Sequence, residues 1–253
     1  MVSRLARPRV LIPIAIVVVL VGMGVWMWAR AGSSTGVSAE QARAAYGAGA
    51  TGEAIPGGPR AGVWTYAATG DESVGLGPVD VERALPTQAT VVVRPAAGGY
   101  WRTLVLSEEH VEASRFRVGP QGAYLVERVT TVTVAGFGRD DRQRLVPPPL
   151  VHPRGIAVGD TWREHYSLAE VTVDARVRVL RREVLRVEDT DVPTFLVETD
   201  AVITGPLPGT RVDRMWWSPD LQMPVRWTLA MDIHGIASLR TDAEAMMTGT
   251  GPE

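Results

Sequence analysis

Hydrophobic and polar residues follow two different rhythms along this chain of 253 residues. Val10 to Ala29 is an uncharged run of 20 residues, VLIPIAIVVVLVGMGVWMWA. At 1.5 Å per helical residue it spans about 30 Å, the thickness of a bilayer's hydrocarbon core. From Gly62 onward the period is two. Val225, Trp227, Leu229, Met231 and Ile233 alternate with Arg226, Thr228 and Asp232, and Phe195, Val197, Ala201 and Ile203 with Thr194, Glu198 and Asp200. Val171, Val173, Ala175, Val177 and Val179 alternate with Thr172, Asp174, Arg176 and Arg178. Such alternation marks strands with one buried and one wet face. The same reading applies to 63–69, 90–94, 100–107, 112–118, 123–134, 161–168 and 211–217.

Between these runs lie turn residues. Ala96-Ala97-Gly98-Gly99, Gly119-Pro120-Gln121-Gly122 and Glu188-Asp189-Thr190-Asp191 are short enough for hairpins. Ser218-Pro219-Asp220 suits a type I turn. The chain is therefore predicted to be mainly β: an N-terminal transmembrane helix, then a strongly curved antiparallel sheet, either a half-barrel or a barrel-like meander. Residues 61–146 and 156–233 each open on a Trp-bearing strand, which suggests two similar halves joined at Pro147-Pro148-Pro149.

The boundaries follow from composition. Residues 1–9 form a cytoplasmic tail and 10–29 the span. Residues 30–60, rich in Gly, Ala, Ser and Thr, form a flexible linker. A coil of that length reaches about 30 Å. Within it, Ser38 to Gln41 has the form of a capping box and predicts a short helix to about Tyr46. Residues 61–246 form the β domain and 247–253 a disordered tail. Arg4, Arg7 and Arg9 precede the span against Arg30 and Arg43 after it, which places the N-terminus in the cytoplasm and the domain outside it. A cleaved signal peptide is the competing reading, with Ala29-Arg30-Ala31 as the site. The apolar run exceeds the usual 7–15 residues, which favours a retained signal anchor.

Composition narrows the chemistry. There is no Cys, hence no disulfide, thiol catalysis or lipidated cysteine. Lys and Asn are also absent, which fits a G+C-rich genome such as an actinomycete's. From residue 32 onward 22 Arg face 28 acidic residues, a net charge of −6 that argues against a nucleic-acid partner.

The second half contains Val158-Gly159-Asp160-Thr161-Trp162, then Val192-Pro193 to Glu198, Met215-Trp216-Trp217-Ser218-Pro219-Asp220-Leu221 and Met223-Pro224-Val225-Arg226-Trp227. This succession resembles bacterial envelope domains of uncharacterised function. Trp64-Thr65-Tyr66 and Gly70 to Val74 are similar to actinobacterial single-pass membrane proteins of the same kind. More distantly, the layout resembles the curved half-barrel of LolA- and LprG-like lipoprotein or lipid carriers. The resemblance implies carriage of an apolar envelope molecule.

No catalytic, metal or cofactor motif is present. His110, His152, His165 and His234 form no ligand spacing. Glu108-Glu109-His110 reads as the close of a strand rather than acid–base machinery. Asp140-Asp141 and Asp189-Thr190-Asp191 read as turn aspartates rather than cation ligands. Six Trp in one small β domain are the better lead, although core packing explains many such residues. Adjacent Trp216 and Trp217 must face opposite sides of a strand. Trp101, Trp216, Trp217 and Trp227 are the candidate ligand-binding residues. The expected function is a membrane-anchored, non-enzymatic binding domain that uses Val10 to Ala29 as its membrane partner and holds a lipid or other hydrophobic molecule. The alternative is a scaffold docking another envelope protein through a sheet edge or a tryptophan-bearing face.

Overall fold

The computed structural model describes residues 34–47, 51–76, 79–134, 137–168, 171–235 and 237–253. The predicted span, with the tail before it, lies outside the described residues. No helix among the described residues is long and apolar enough to cross a membrane.

These residues form one helix, α1 (Ala39–Tyr46), and one antiparallel sheet. Its strands are β1 (Gly62–Leu76), β2 (Val79–Ala84), β3 (Gln88–Ala96), β4 (Gly99–Ser107), β5 (His110–Gly119), β6 (Gly122–Val134), β7 (Phe137–Arg144), β8 (Leu150–Pro153), β9 (Thr161–Leu168), β10 (Val171–Val187), β11 (Thr190–Thr204), β12 (Gly209–Ser218), β13 (Met223–Ile233) and β14 (Ala237–Met247). The order across the sheet is β7-β6-β5-β4-β3-β1-β14-β13-β12-β11-β10-β9. Two up-and-down meanders thus meet where β1 pairs with β14, and the sheet is left open between β7 and β9. The chain crosses from one edge to the other through β8, which pairs with the lower end of β6.

The sheet curls strongly, as the alternation predicted. Register shifts at Val105/Ser107, Arg115/Phe116, Val179/Arg181 and Trp216/Trp217 add local twist. Glycines permit close strand approach at two points that matter. Gly70 has φ +141°, and a Cβ there would lie 2.1 Å from the Asp242 carbonyl oxygen of β14. A Cβ on Gly99 would lie 2.0 Å from the Phe116 carbonyl oxygen of β5. Gly70→Ala should therefore destabilise the protein by more than about 1 kcal/mol, because positive φ and a backbone clash act together. A thermal melt of the full chain checks this, and an unchanged midpoint would refute it.

The inner face carries the main core: Trp64, Tyr66, Val91, Val93, Tyr100 and Leu106 from the first meander, and Val225, Trp227, Leu229 and Met231 from the second. Beyond the Val179/Arg181 shift, Leu185, Val187 and Val192 at the tip of the β10–β11 hairpin join this core, while Phe195 belongs to a second cluster with Trp217.

Two segments differ from expectation. Within the predicted flexible linker, α1 is fixed by its capping box: Gln41 N–H donates to Ser38 Oγ at 3.2 Å, and Ser38 N–H to Gln41 Oε1 at 2.9 Å. It buries Ala42 against Val63 and Val92 on the sheet's outer face. Upstream, Thr35 N–H donates to Glu109 Oε2 at 2.9 Å. The residues expected to be a disordered tail are instead tied to β1. Thr248 N–H donates to the Thr65 carbonyl at 3.0 Å, and Glu253 N–H to the Val63 carbonyl at 2.7 Å. Local composition was a poor guide because, beyond the end of β14, the edge of β1 away from β3 leaves free backbone groups that the tail satisfies.

Candidate functional site: the interior of the curled sheet

The interior is apolar and aromatic at one end and charged at the other. At the lower end four rings stack in line. Tyr100 and Phe116 have centroids 4.9 Å apart, Phe116 and His152 5.6 Å, and His152 and Trp217 4.3 Å. The line crosses the interior, from β4 and β5 through β8 to β12. His152 is neutral: burial, then the positive field of Arg102, hold its pKa well below the usual histidine range.

The upper end holds a buried ionic network. Glu72 on β1 accepts from Arg83 Nε at 2.9 Å and lies 2.7 Å from His110 Nδ1. Arg83 also donates to the Thr133 carbonyl at 3.0 Å. The other His110 nitrogen is 3.6 Å from Glu112, an ion-pair distance too long for a hydrogen bond. Glu112 pairs with Arg128 at 2.5 Å and, across the interior, with Arg211 of β12 at 3.5 Å. Arg211 is held in turn by Asp213 at 2.8 Å. Burial alone would lower the His110 pKa, but the neighbouring Glu112 carboxylate and the Glu72 carboxylate bound to Nδ1 push it up to about 9. Burial would raise the Glu112 pKa, yet Arg128, Arg211 and His110 hold it well below the usual carboxylate range.

Toward the opening, β9 turns Trp162, Glu164 and Tyr166 inward, each partly exposed. Burial pushes the Glu164 carboxyl up to about 7, against a 3.2 Å hydrogen bond from Trp162 Nε1, and Asp213 adds to the rise. The emission contributed by Trp162, taken as the difference between the wild type and Trp162→Phe, should titrate with a midpoint near pH 7. It should stay flat in Glu164→Gln. A flat wild-type profile would refute the assignment.

The structure separates the four candidate tryptophans. Trp217 and Trp227 face the interior, Trp217 in the ring line and Trp227 between Met215 and Ala245. Trp101 and Trp216 face outward. Trp101 lies half-buried under Arg94 at 5.2 Å. Trp216 lies 4.6 Å beneath Arg226 and donates to Glu183. The interior charges have one signal in the sequence: Arg102 shares the inward register of Tyr100, Leu104 and Leu106.

The other candidate groups have ordinary surroundings. His165 pairs with Asp174 at 2.6 Å on the exposed face. Asp189 and Asp191 both accept from Arg186. The side chains of Asp140 and Asp141 lie outside the described residues. Among the described residues no cluster of His, Asp and Glu is arranged to hold a metal ion. A cleft of about 370 Å³ at the lower rim, lined by Ile55, Pro56, Pro95 and Val118 among others, has only Glu53 as a charged wall.

No family model matches the chain, and no curated protein does. Among solved structures it is similar to a DUF1329 family protein from Desulfovibrio piger ATCC 29098, at 10% identity over 71% of this chain and 82% of that one, with a TM-score of 0.21. A likeness at that level assigns no function, and it does not bear on an actinobacterial source.

Proposed function

We propose that the curled sheet is a non-catalytic binding module for an amphiphilic or otherwise hydrophobic envelope molecule. The observation that carries this reading is the wall beside the opening. Trp162, Tyr166, Met215 and Ile233 line the inner face of β9, β12 and β13, and each is only partly covered. An alkyl chain laid along that wall would gain about 0.8 kcal/mol for each methylene withdrawn from water. The network at the upper end makes the interior two-natured, apolar at one end and charged at the other, which suits a ligand with a polar head. In this reading the segment from Val10 to Ala29 is a retained anchor that keeps the module outside the cytoplasm and beside its lipid supply.

Native mass spectrometry of the full chain, made in a G+C-rich bacterial host and released from detergent in the gas phase, tests the reading. A reproducible extra mass of several hundred daltons, lost on denaturation, is expected. A bare mass that persists after incubation with envelope lipid extract would overturn it and favour the docking of another envelope protein.

A further inference from the structure

Arg102 is the one member of the interior charge set without a carboxylate partner among the described residues. Arg83 has Glu72, Arg128 has Glu112, and Arg211 has both Asp213 and Glu112. Arg102 lies 4.8 Å from the Phe116 ring centroid and 3.5 Å from His152 Nε2, and the Glu112 carboxylate acts on it through its charge without an ion-pair contact. His152 is neutral and supplies no countercharge. The described interior holds five cationic groups, Arg83, Arg102, His110, Arg128 and Arg211. Against them stand four carboxylates, Glu72, Glu112, Glu164 and Asp213. With His110 protonated and Glu164 ionised, the cations among these described groups outnumber the carboxylates by one. Interior charge without a partner is costly, and a guanidinium is shaped to bind a carboxylate or phosphate through two parallel hydrogen bonds.

Its position adds to the argument. Arg102 touches Phe116 and His152, which lead by ring contact to Trp217. Trp217 packs in the cluster that Trp162 borders at the β9 edge. A continuous apolar line thus runs from the open seam to the unpaired cation.

We propose that Arg102 is the receptor for an anionic group, carboxylate or phosphate, carried by the molecule that the half-barrel binds. This rests on the binding-module reading and specifies its ligand as an anionic amphiphile. Arg102 is only partly exposed and burial presses its pKa down, in keeping with a charge that lacks a counter-ion until the ligand arrives.

The test uses the full chain in nanodiscs of zwitterionic lipid, with empty discs as the blank. Brominated dodecanoate and its uncharged analogue, brominated dodecanol, are titrated while quenching of tryptophan emission is read. The wild type should bind the acid about tenfold or more tightly than the alcohol. Arg102→Met should abolish that preference and leave the alcohol's midpoint unchanged, while Arg102→Lys keeps part of it. A preference that survives in Arg102→Met overturns the assignment but leaves the binding module standing. Failure of the wild type to bind either probe overturns both. Inorganic phosphate that displaces the acid at millimolar concentration would point to a free anion as the natural ligand, and failure to displace it to a lipid head group. A melt guards against misfolding: the wild-type midpoint should rise with dodecanoate more than with dodecanol, and equal shifts count against Arg102.

Discussion

Glu112→Ala should lower the unfolding free energy by about 3–5 kcal/mol, the cost of removing one partner from a buried ion pair. Glu112 is 8% exposed and lies within ion-pair distance of Arg128, Arg211 and His110, contributed by β6, β12 and its own strand. Its removal leaves three cations facing one another in the interior. Urea unfolding of the full chain, followed by near-ultraviolet circular dichroism, measures the loss. A change below about 1 kcal/mol would mean that water neutralises those cations and that the network does not tie the two walls together. The network also fixes a pH dependence. The His110 pKa is raised in the fold, so its contribution is complete below its ordinary value of 6.5 and is lost as pH rises through about 9. A shift of that size corresponds to about 3 kcal/mol for this fully buried ring. The Glu72 and Glu112 carboxyls are lowered, so their contribution is present above about 4.5 and fades as pH falls below it. Stability should therefore decline on both flanks, and His110→Gln should flatten the slope between pH 7 and 9.

The alternation of apolar residues located most strands because their inward positions are large. The period-two run 161–168 coincides with β9 at both ends, and the hairpin turns at Ala97-Gly98 and Pro120-Gln121 fall between the strands that their spacing predicts they join. The strand β14 escaped notice because its inward residues include Thr241, Ala243 and Ala245, and alanine has low strand propensity. Those small side chains are what β1 and β13 require on either side, a fact of packing that no local pattern contains. Among the candidate residues, the opposed faces of Trp216 and Trp217 followed from the pleat alone. Which of them pointed inward depended on pairing with β11 and β13. The ionic network was hidden for the same reason. Glu112 and Arg211 lie far apart in sequence and become partners only when the sheet curls enough to face β5 toward β12.

The ring line makes the curl itself testable. Trp217→Ala should cost about 3–5 kcal/mol, the range for truncating a buried aromatic. Trp101→Ala, on the half-exposed outer face, should cost less than about 1 kcal/mol, within the usual spread for surface changes. The contrast separates two accounts of the interior. If the sheet owed its curvature to register shifts alone, removing Trp217 would leave only a local cavity and the Phe116–His152 contact would persist. If the stack braces the two walls, His152 loses its neighbour on the far side, water reaches the ring and its pKa climbs back toward 6.5. Unfolding in urea gives the first quantity and a proton titration of His152 by NMR gives the second. A large loss of stability with an unshifted His152 would confine Trp217 to local packing. A loss accompanied by a rising His152 pKa would identify the ring line as the brace that holds β5 and β8 against β12.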